Sequence, residues 1–322
     1  MRNLSLDLLK IFMAFFVFFI HLRVFSDTSH TIGYILNNGL FRVAVPVFII
    51  INGFYLFDTI SKKKTKLFLK KLSILYILWM AIYSKWWFDL ERVDLTITNL
   101  IFGYYQLWYV PAVILSAALL IFLHKIRTKH LLTLSGLLLL AGMVLQAYVN
   151  NGNFDKIIPE KEMQYILYRN FLFDALPFLC IGYILRKKED LIIGFLNNNA
   201  YVFYLIPLFI VLLCLESYTN LILFENSSSL DILFFSVPLS VLLFMACSYR
   251  CKIPGQTRIL ASLSSAVYFC HLFCIRISAL IINKFLDGNF SYHIVISLIF
   301  TLCASLALVA LKNRYPRFPL LP

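Results

Sequence analysis

Apolar stretches separated by short polar segments follow one another along nearly the whole length of this 322-residue chain. A stretch of about 17–25 predominantly apolar residues is long enough to cross a bilayer as a helix. Ten stretches meet this criterion, approximately at residues 6–25, 39–57, 67–86, 104–123, 131–149, 167–185, 198–216, 230–248, 259–282 and 292–311. The pattern therefore predicts an all-α integral membrane protein, a bundle of about ten transmembrane helices.

Composition gives the same picture. Hydrophobic residues make up 61% of the sequence and charged residues only 14%. A soluble domain cannot bury that much apolar surface, so a bilayer is the expected solvent. Because the loops are short, residues 1–322 are expected to form a single membrane domain with no appended soluble domain. The seven cysteines show neither disulfide nor zinc spacing, and no metal site is expected.

Lysine and arginine are distributed unevenly between the two sides of this bundle. With a cytoplasmic N-terminus, 20 of the 29 cations fall in inside segments and 6 in outside loops, while Arg42, Arg169 and Arg276 fall in or at the edge of spans. This bias follows the positive-inside rule, and it predicts a multi-pass inner (plasma) membrane protein with both termini in the cytoplasm. It also accounts for the formal charge of +13, so no nucleic-acid partner is expected.

A small set of ionisable residues lies within the predicted spans, where such residues are costly and by default indicate function. The set comprises His21, Arg42, Arg169, Asp174, His271 and Arg276. The predicted orientation places all six between the membrane midplane and the outer surface. Four different spans contribute to this layer, which predicts a buried polar cavity.

The first span carries two polar side chains on one face. Lys10 and His21 enclose ten apolar residues, and eleven helical steps amount to three turns plus about 20° and a rise of about 16 Å. His21 therefore belongs to the predicted cavity, whereas Lys10 lies near the inner surface. Asp7 falls within about 40° of the same line.

Several of these residues, His21 included, also have a purely structural alternative. Arg42 and Arg169 are close enough to the outer interface to snorkel, and Asp174 could serve as the ion-pair partner of one arginine. His271 could be a packing histidine, and Lys10 an ordinary positive-inside anchor. In chemical terms, a neutral imidazole can take a proton from a hydroxyl and an arginine can hold an oxyanion. The same groups would also serve a proton-coupled transporter.

Five sequence blocks, in order along the chain, resemble membrane acyltransferase family 3. They are Lys10-x10-His21, Arg42-x-x-x-Pro46-x-Phe48 followed by Asn52-Gly53-Phe54-Tyr55-Leu56, Leu107-Trp108-Tyr109-Val110-Pro111, Pro177-Phe178-x-x-x-Gly182-Tyr183, and Leu263-Ser264-x-x-x-Tyr268-x-x-His271. Two positions depart from the family pattern, since Lys10 stands where the family usually has arginine and Asn52 where it usually has serine.

The resemblance implies transfer of an acyl group, usually acetyl, from acyl-CoA to a hydroxyl of a cell-surface polysaccharide or lipopolysaccharide sugar. It implies that His21 is the catalytic base and that Arg42 is an essential buried cation. Lys10 would bind the CoA phosphates, and Asn52 with Gly53 would permit close approach of a helix or of the donor.

The remaining polar and aromatic positions are expected to bind substrate. They are Trp108, Tyr109, Arg169, Asp174, His271 and Arg276. Acetyl-CoA is expected as co-substrate, with no permanently bound cofactor, and the bilayer and a glycan acceptor as partners. Two other functions stay open: a transporter or flippase of a lipid-linked sugar, and a non-catalytic membrane receptor on the same fold.

Overall fold

The structure is a computed structural model. This structure describes residues 2–158, 160–224, 229–255, 259–285, 290–315 and 321. Within these ranges the protein is helical apart from loops and one short strand pair. That pair joins β1 (Arg2–Asn3) and β2 (Pro254–Gly255) in antiparallel register, with Arg2 opposite Gly255.

Fifteen α-helices follow along the described chain. They are α1 Leu4–Leu22, α2 His30–Asn38, α3 Ala44–Ser61, α4 Thr65–Ile82, α5 Ser84–Trp87, α6 Val93–Phe102, α7 Tyr109–Leu123, α8 Thr128–Asn150, α9 Lys161–Ile166, α10 Leu176–Lys187, α11 Glu189–Asn198, α12 Leu205–Leu223, α13 Ser236–Met245, α14 Ile259–Phe285 and α15 Phe290–Arg314. Short 3₁₀ segments precede α3, α7 and α12, and π-helical turns flank α10 and α13.

Seven helical segments in the described ranges are long and apolar enough to cross a membrane. They are Leu4–Leu22, His30–Ser61, Tyr105–Leu123, Thr128–Asn150, Ala200–Leu223, Ile259–Lys284 and Tyr292–Arg314. Helix also covers the three other predicted stretches, in α4, α10 and α13. Of these, α10 has 12 residues and α13 has 10, fewer than the roughly 20 that a straight span needs. A multi-pass helical membrane protein is supported, while the count of ten and the cytoplasmic termini stay predictions.

Irregular backbone stands at the beginning of several predicted spans, and it carries cavity residues. Arg42 lies in a 3₁₀ turn (Leu40–Val43) before α3, and Trp108 ends another (Tyr105–Trp108) before α7. Arg169 precedes a π-helical turn (Phe171–Ala175), and residues 230–235 are not helical. Irregular backbone at membrane depth is tolerated where protein surrounds it, because its polar groups then find partners.

Side chains accept hydrogen bonds from four backbone N–H groups within residues 231–235. Gln146 Oε1 accepts hydrogen bonds from the N–H groups of Asp231 and Ile232, at 2.8 and 3.0 Å. The Glu216 carboxylate accepts from the N–H groups of Phe234 and Phe235, at 2.7 and 3.0 Å. Two polar side chains from α8 and α12 therefore hold this extended segment in place.

A close helix crossing in the core joins α3 to α10 and depends on two glycines. A Cβ atom on Gly53 would collide with the carbonyl of Leu179, and one on Gly182 would collide with the carbonyl of Ile50. Small residues let helix backbones approach closely in membrane bundles. The close approach that Gly53 permits is thus to the backbone of α10.

Helix α1 is fixed at both ends. At its start, the Asn3 side chain accepts from the N–H of Ser5 and donates to the carbonyl of Cys247 at 2.9 Å. At its end, Arg23 adopts a left-handed conformation (φ 51°), and its N–H bonds back to the Ile20 and Phe19 carbonyls. Because α1 also packs along α14, His21 in its last turn has a defined position.

Candidate active site

A cavity of about 780 Å³ lies at the end of α1 that carries His21. Its wall is assembled from α1, α2, α6, α9 and the residues after it, the turns before α3, α7 and α10, the irregular segment before α13, and Tyr268 of α14. Six of the predicted site residues line it: His21, Arg42, Trp108, Tyr109, Arg169 and Asp174. The predicted layer of polar residues thus meets around one space, although His271 and Arg276 do not line it.

His21 is half-buried and projects from the last turn of α1 into the cavity. Its ring centroid is 5.2 Å from that of His271 and 6.2 Å from that of Tyr105. Tyr105 is held in the left-handed region (φ 45°) after Gly103 (φ 90°), where a Cβ would collide with Trp108 N. Backbone strain of this kind persists where the surrounding structure fixes it, and it concentrates at functional sites.

Each of the three nitrogen atoms of the Arg42 guanidinium donates a hydrogen bond to a protein group. Nη1 lies 2.5 Å from Asp231 Oδ1, Nε donates to the Asn37 carbonyl at 3.0 Å, and Nη2 donates to Asn38 Oδ1 at 3.1 Å. These contacts fix the orientation of Arg42 and compensate its charge. Arg42 therefore acts as a rigid part of the wall.

Arg169 has a different environment. Its Nη1 is 3.9 Å from Asp231 Oδ2, and its guanidinium lies over the rings of Trp108 and Tyr165, at 5.5 and 5.2 Å. No hydrogen bond from this guanidinium is found within the described residues. Cation–π contacts orient an arginine without using its N–H groups, so Arg169 presents free donors to the cavity.

Asp231 is the carboxylate that compensates both arginines, and it is not among the site residues predicted from the sequence. It is buried, and Ser229 Oγ donates to its Oδ2 at 3.0 Å. The sequence places it at the edge of a polar loop, where an acidic residue is ordinary. The signal that could have found it was its predicted depth, which is that of the arginines. The cavity wall also contains Asn37, Asn38, Tyr105, Gln106 and Ser229, which were not predicted either.

Asp174 lies in the π-helical turn before α10 and is 1% exposed. In the part of the chain that the structure describes, the carboxylate within 4.0 Å of Arg42 and Arg169 is that of Asp231, so the ion-pair alternative for Asp174 was wrong. Its Oδ1 finds no hydrogen-bond partner among those residues. A buried, unpartnered carboxylate oxygen at a cavity wall is available to a ligand's hydrogen-bond donor.

Two predicted site residues lie behind the wall. His271 is 0% exposed and contacts the cavity through His21. Arg276 stacks on Trp86, Tyr104 and Tyr105 at 5.3 to 5.5 Å and donates to the Tyr104 hydroxyl. Arg276 therefore supports Tyr105 from outside the cavity.

The three residues predicted to bind the donor lie away from the cavity. Lys10 Nζ is 3.4 Å from Asp7 Oδ1 and 5.6 Å from the centroid of the Tyr55 ring. Asn52 Nδ2 donates to the Phe48 carbonyl at 3.1 Å and to the Tyr109 hydroxyl, which links it to the wall. Gly53, as described above, packs against α10.

Comparison with curated proteins gives two relatives. A "Serine/alanine racemase" of Enterococcus gallinarum is 29% identical over 209 residues, covering 59% of this chain and 30% of that protein. An "Amino-acid racemase" of Enterococcus faecalis is 25% identical over 296 residues, covering 84% of this chain and 40% of that protein. The chain thus spans well under half the length of either relative. No solved structure matches significantly.

Comparison with protein families gives a match over nearly the whole chain. The pattern of acyltransferase family 3, described as an acyltransferase domain, matches residues 3–310. The matched range contains His21, the cavity wall and His271. The chain belongs to acyltransferase family 3.

Proposed function

We propose that this chain is a membrane O-acyltransferase that moves acetyl from acetyl-CoA to a hydroxyl of a cell-surface polysaccharide or lipopolysaccharide sugar. The observation that carries the proposal is the opening of His21 into a polar cavity, beside an arginine with free donors, in a chain of the acyltransferase family. The family match by itself supports the broader assignment to the membrane acyltransferases, without a named donor or acceptor.

In the proposed reaction, a ring nitrogen of His21 takes the proton of the acceptor hydroxyl. The hydroxyl oxygen attacks the thioester carbonyl carbon, so that a C–O bond forms and the C–S bond breaks. CoA leaves as a thiolate, and the proton held by His21 returns to it or to solvent. A positioned base of this kind contributes about 10²- to 10⁴-fold in rate.

Arg169 is the group best suited to stabilise the oxyanion that forms on the thioester carbonyl. Its N–H groups are not consumed within the described structure, whereas those of Arg42 are bonded to Asp231, Asn37 and Asn38. Donors that are oriented before the reaction stabilise developing charge at no reorganisation cost. Arg42, in this proposal, holds Asp231 in place, and its positive charge adds to the electrostatic stabilisation of the oxyanion.

The acceptor would enter from the outer side of the membrane. The cavity wall includes Arg23 and Ser26, which follow α1, and Lys161, which begins α9; the sequence predicts that all three lie outside. At this rim, the hydrogen bond from Lys161 to Asp155 (2.6 Å) holds the pKa of that exposed carboxyl below its ordinary value. The donor would approach from the side of Lys10, at the opposite end of α1.

The test is His21→Ala, with exposed His130→Ala as the matched control. Purified protein in lipid nanodiscs would be given labelled acetyl-CoA, and CoA release would be followed with and without acceptor glycan. The O-acetyl content of surface glycan would be measured by NMR in cells. We expect His21→Ala to lose about 10²- to 10⁴-fold in rate and His130→Ala to match the wild type. Undiminished acetylation by His21→Ala at normal protein levels would refute the proposal.

A second candidate function is binding of a small amino acid in the same cavity. The two curated relatives are named for amino-acid racemisation, and the wall offers both a guanidinium, Arg169, and an unpartnered carboxylate oxygen, on Asp174. Together these two groups complement the carboxylate and ammonium of an amino acid. Calorimetry with L-serine, D-serine and L-alanine tests this. Binding that Asp174→Asn abolishes, with no CoA release, would favour the transporter or receptor alternative.

A further inference from the structure

His271 is the one predicted site histidine that the proposed reaction leaves without a role. It lies in α14 and is 0% exposed. Its Nδ1 lies 2.7 Å from the Tyr268 carbonyl oxygen and 3.0 Å from the Val267 carbonyl oxygen. Carbonyl oxygens only accept hydrogen bonds, so Nδ1 must carry a hydrogen.

This fixes the tautomer of the neutral ring. With the hydrogen on Nδ1, Nε2 carries a lone pair and can only accept. Nε2 is buried, and with the side chains as they stand it accepts no hydrogen bond from any described residue, His21 included. A buried acceptor left without a partner is costly, so an N–H or O–H donor is expected beside it.

Three aromatic rings lie around His271, and only one of them has a hydrogen-bond donor to spare. Its ring centroid lies 6.5 Å from that of Phe18, 6.3 Å from that of Tyr268 and 5.2 Å from that of His21. Phenylalanine has no donor, and the Tyr268 hydroxyl already donates to the carbonyl of Gln106. His21 is both the nearest of the three rings and the one with a ring N–H to offer.

We infer that His271 is the positioning residue of His21: from a centroid distance of 5.2 Å, a rotation of the His21 ring brings one of its ring N–H groups into a hydrogen bond with His271 Nε2. The bond leaves the other ring nitrogen of His21 unprotonated and directed into the cavity, which is the state a general base needs. When His21 takes the acceptor proton, the same bond becomes charge-assisted and stronger. The catalytic part of this inference rests on the proposed function; the hydrogen bond itself does not.

The surroundings of the two histidines give them different roles. Two carbonyls of its own helix hold the Nδ1–H of His271, whereas His21 faces the cavity. His21 is therefore the histidine that gains and loses the proton. Because α1 packs along α14, the bond also couples the base to the helix that carries the late family block. Removing a partner that orients a metal-binding imidazole lowers activity by about 10- to 100-fold, and we expect a loss of the same order here.

The direct test is NMR of the wild-type protein in lipid nanodiscs with ¹⁵N-labelled histidine rings. The chain has six histidines, and His21→Gln and His271→Gln assign their signals. We expect a through-bond ¹⁵N–¹⁵N coupling between one His21 nitrogen and His271 Nε2, and a His271 ring protonated at Nδ1. Absence of the coupling, or a His271 ring protonated at Nε2, would overturn the inference whether or not the protein transfers acyl groups.

Kinetics test the consequence. We expect His271→Ala to lower kcat by about 10- to 100-fold with KM for acetyl-CoA little changed. His271→Gln, whose amide oxygen can accept in place of Nε2, should recover a large part of the loss. Ser264→Ala is the matched control, since Ser264 is buried in the same helix and its hydroxyl, among the described residues, bonds to the Ala261 carbonyl alone. Equal loss in His271→Gln and His271→Ala, or an equal loss in Ser264→Ala, would refute the positioning role.

Discussion

Replacing Asp231 by alanine should destabilise the protein more than any change to its exposed ion pairs. The Asp231 side chain is 6% exposed and that of its partner Arg42 is 15% exposed, with 2.5 Å between Oδ1 and Nη1. The substitution leaves Arg42 and Arg169 without the carboxylate that they share. Two cations then lie in a low-dielectric environment without compensation.

The magnitude follows from this burial. Removing one partner of a buried ion pair costs about 3–5 kcal/mol, because the remaining charge is left uncompensated. The pair Arg92–Glu160 provides a matched comparison, since its 2.9 Å separation is similar but its side chains are 45% and 40% exposed. An exposed pair contributes only about 0.2–1 kcal/mol. Asp231→Ala should therefore exceed Glu160→Ala several-fold in its effect on the free energy of unfolding.

Thermal unfolding in detergent, followed by tryptophan fluorescence, provides the measurement. Asp231→Ala should lower the apparent Tm strongly, Asp231→Asn less because an oxygen still accepts from Arg42, and Glu160→Ala hardly at all. The double variant Arg42→Ala with Asp231→Ala should be destabilised by less than the sum of the losses in the two single variants, because it removes both charges of the pair together. Equal Tm values for Asp231→Ala and Glu160→Ala, or strict additivity in the cycle, would refute the reasoning.

Three further predictions concern the helix crossing, the donor end and the oxyanion. Gly53→Ala should destabilise by about 1–3 kcal/mol through overpacking in the same unfolding assay, whereas Gly136→Ala, with open space at its Cβ position, should be neutral or stabilising. Lys10→Ala should raise KM for acetyl-CoA with kcat little changed, and Lys10→Arg should restore it; unchanged KM in Lys10→Ala would contradict the donor-binding role. Arg169→Ala should lower kcat by about 10²- to 10³-fold in the CoA-release assay, and a loss confined to KM would assign Arg169 to substrate binding instead.

The local pattern of this sequence determined the class of protein and one end of its site. Apolar stretches of spanning length specify membrane helices without any tertiary information, because the bilayer requires every backbone group to be satisfied within its own helix. The eleven-residue step from Lys10 to His21 sets both side chains on one face of α1, since helical periodicity is a local property. His21 could be singled out because a histidine among apolar residues is conspicuous.

Tertiary structure decided which polar groups meet. Arg42 and Asp231 are far apart in the chain, and only the packing of α3 against α13 and the extended segment before it bring them to 2.5 Å. The same packing assigned the ion pair to Asp231 rather than Asp174, and it placed Gly53 against a helix. The proximity of His271 to His21 likewise follows from the packing of α14 against α1. Periodicity along one helix carries no record of the helix opposite, so these pairings were beyond the sequence alone.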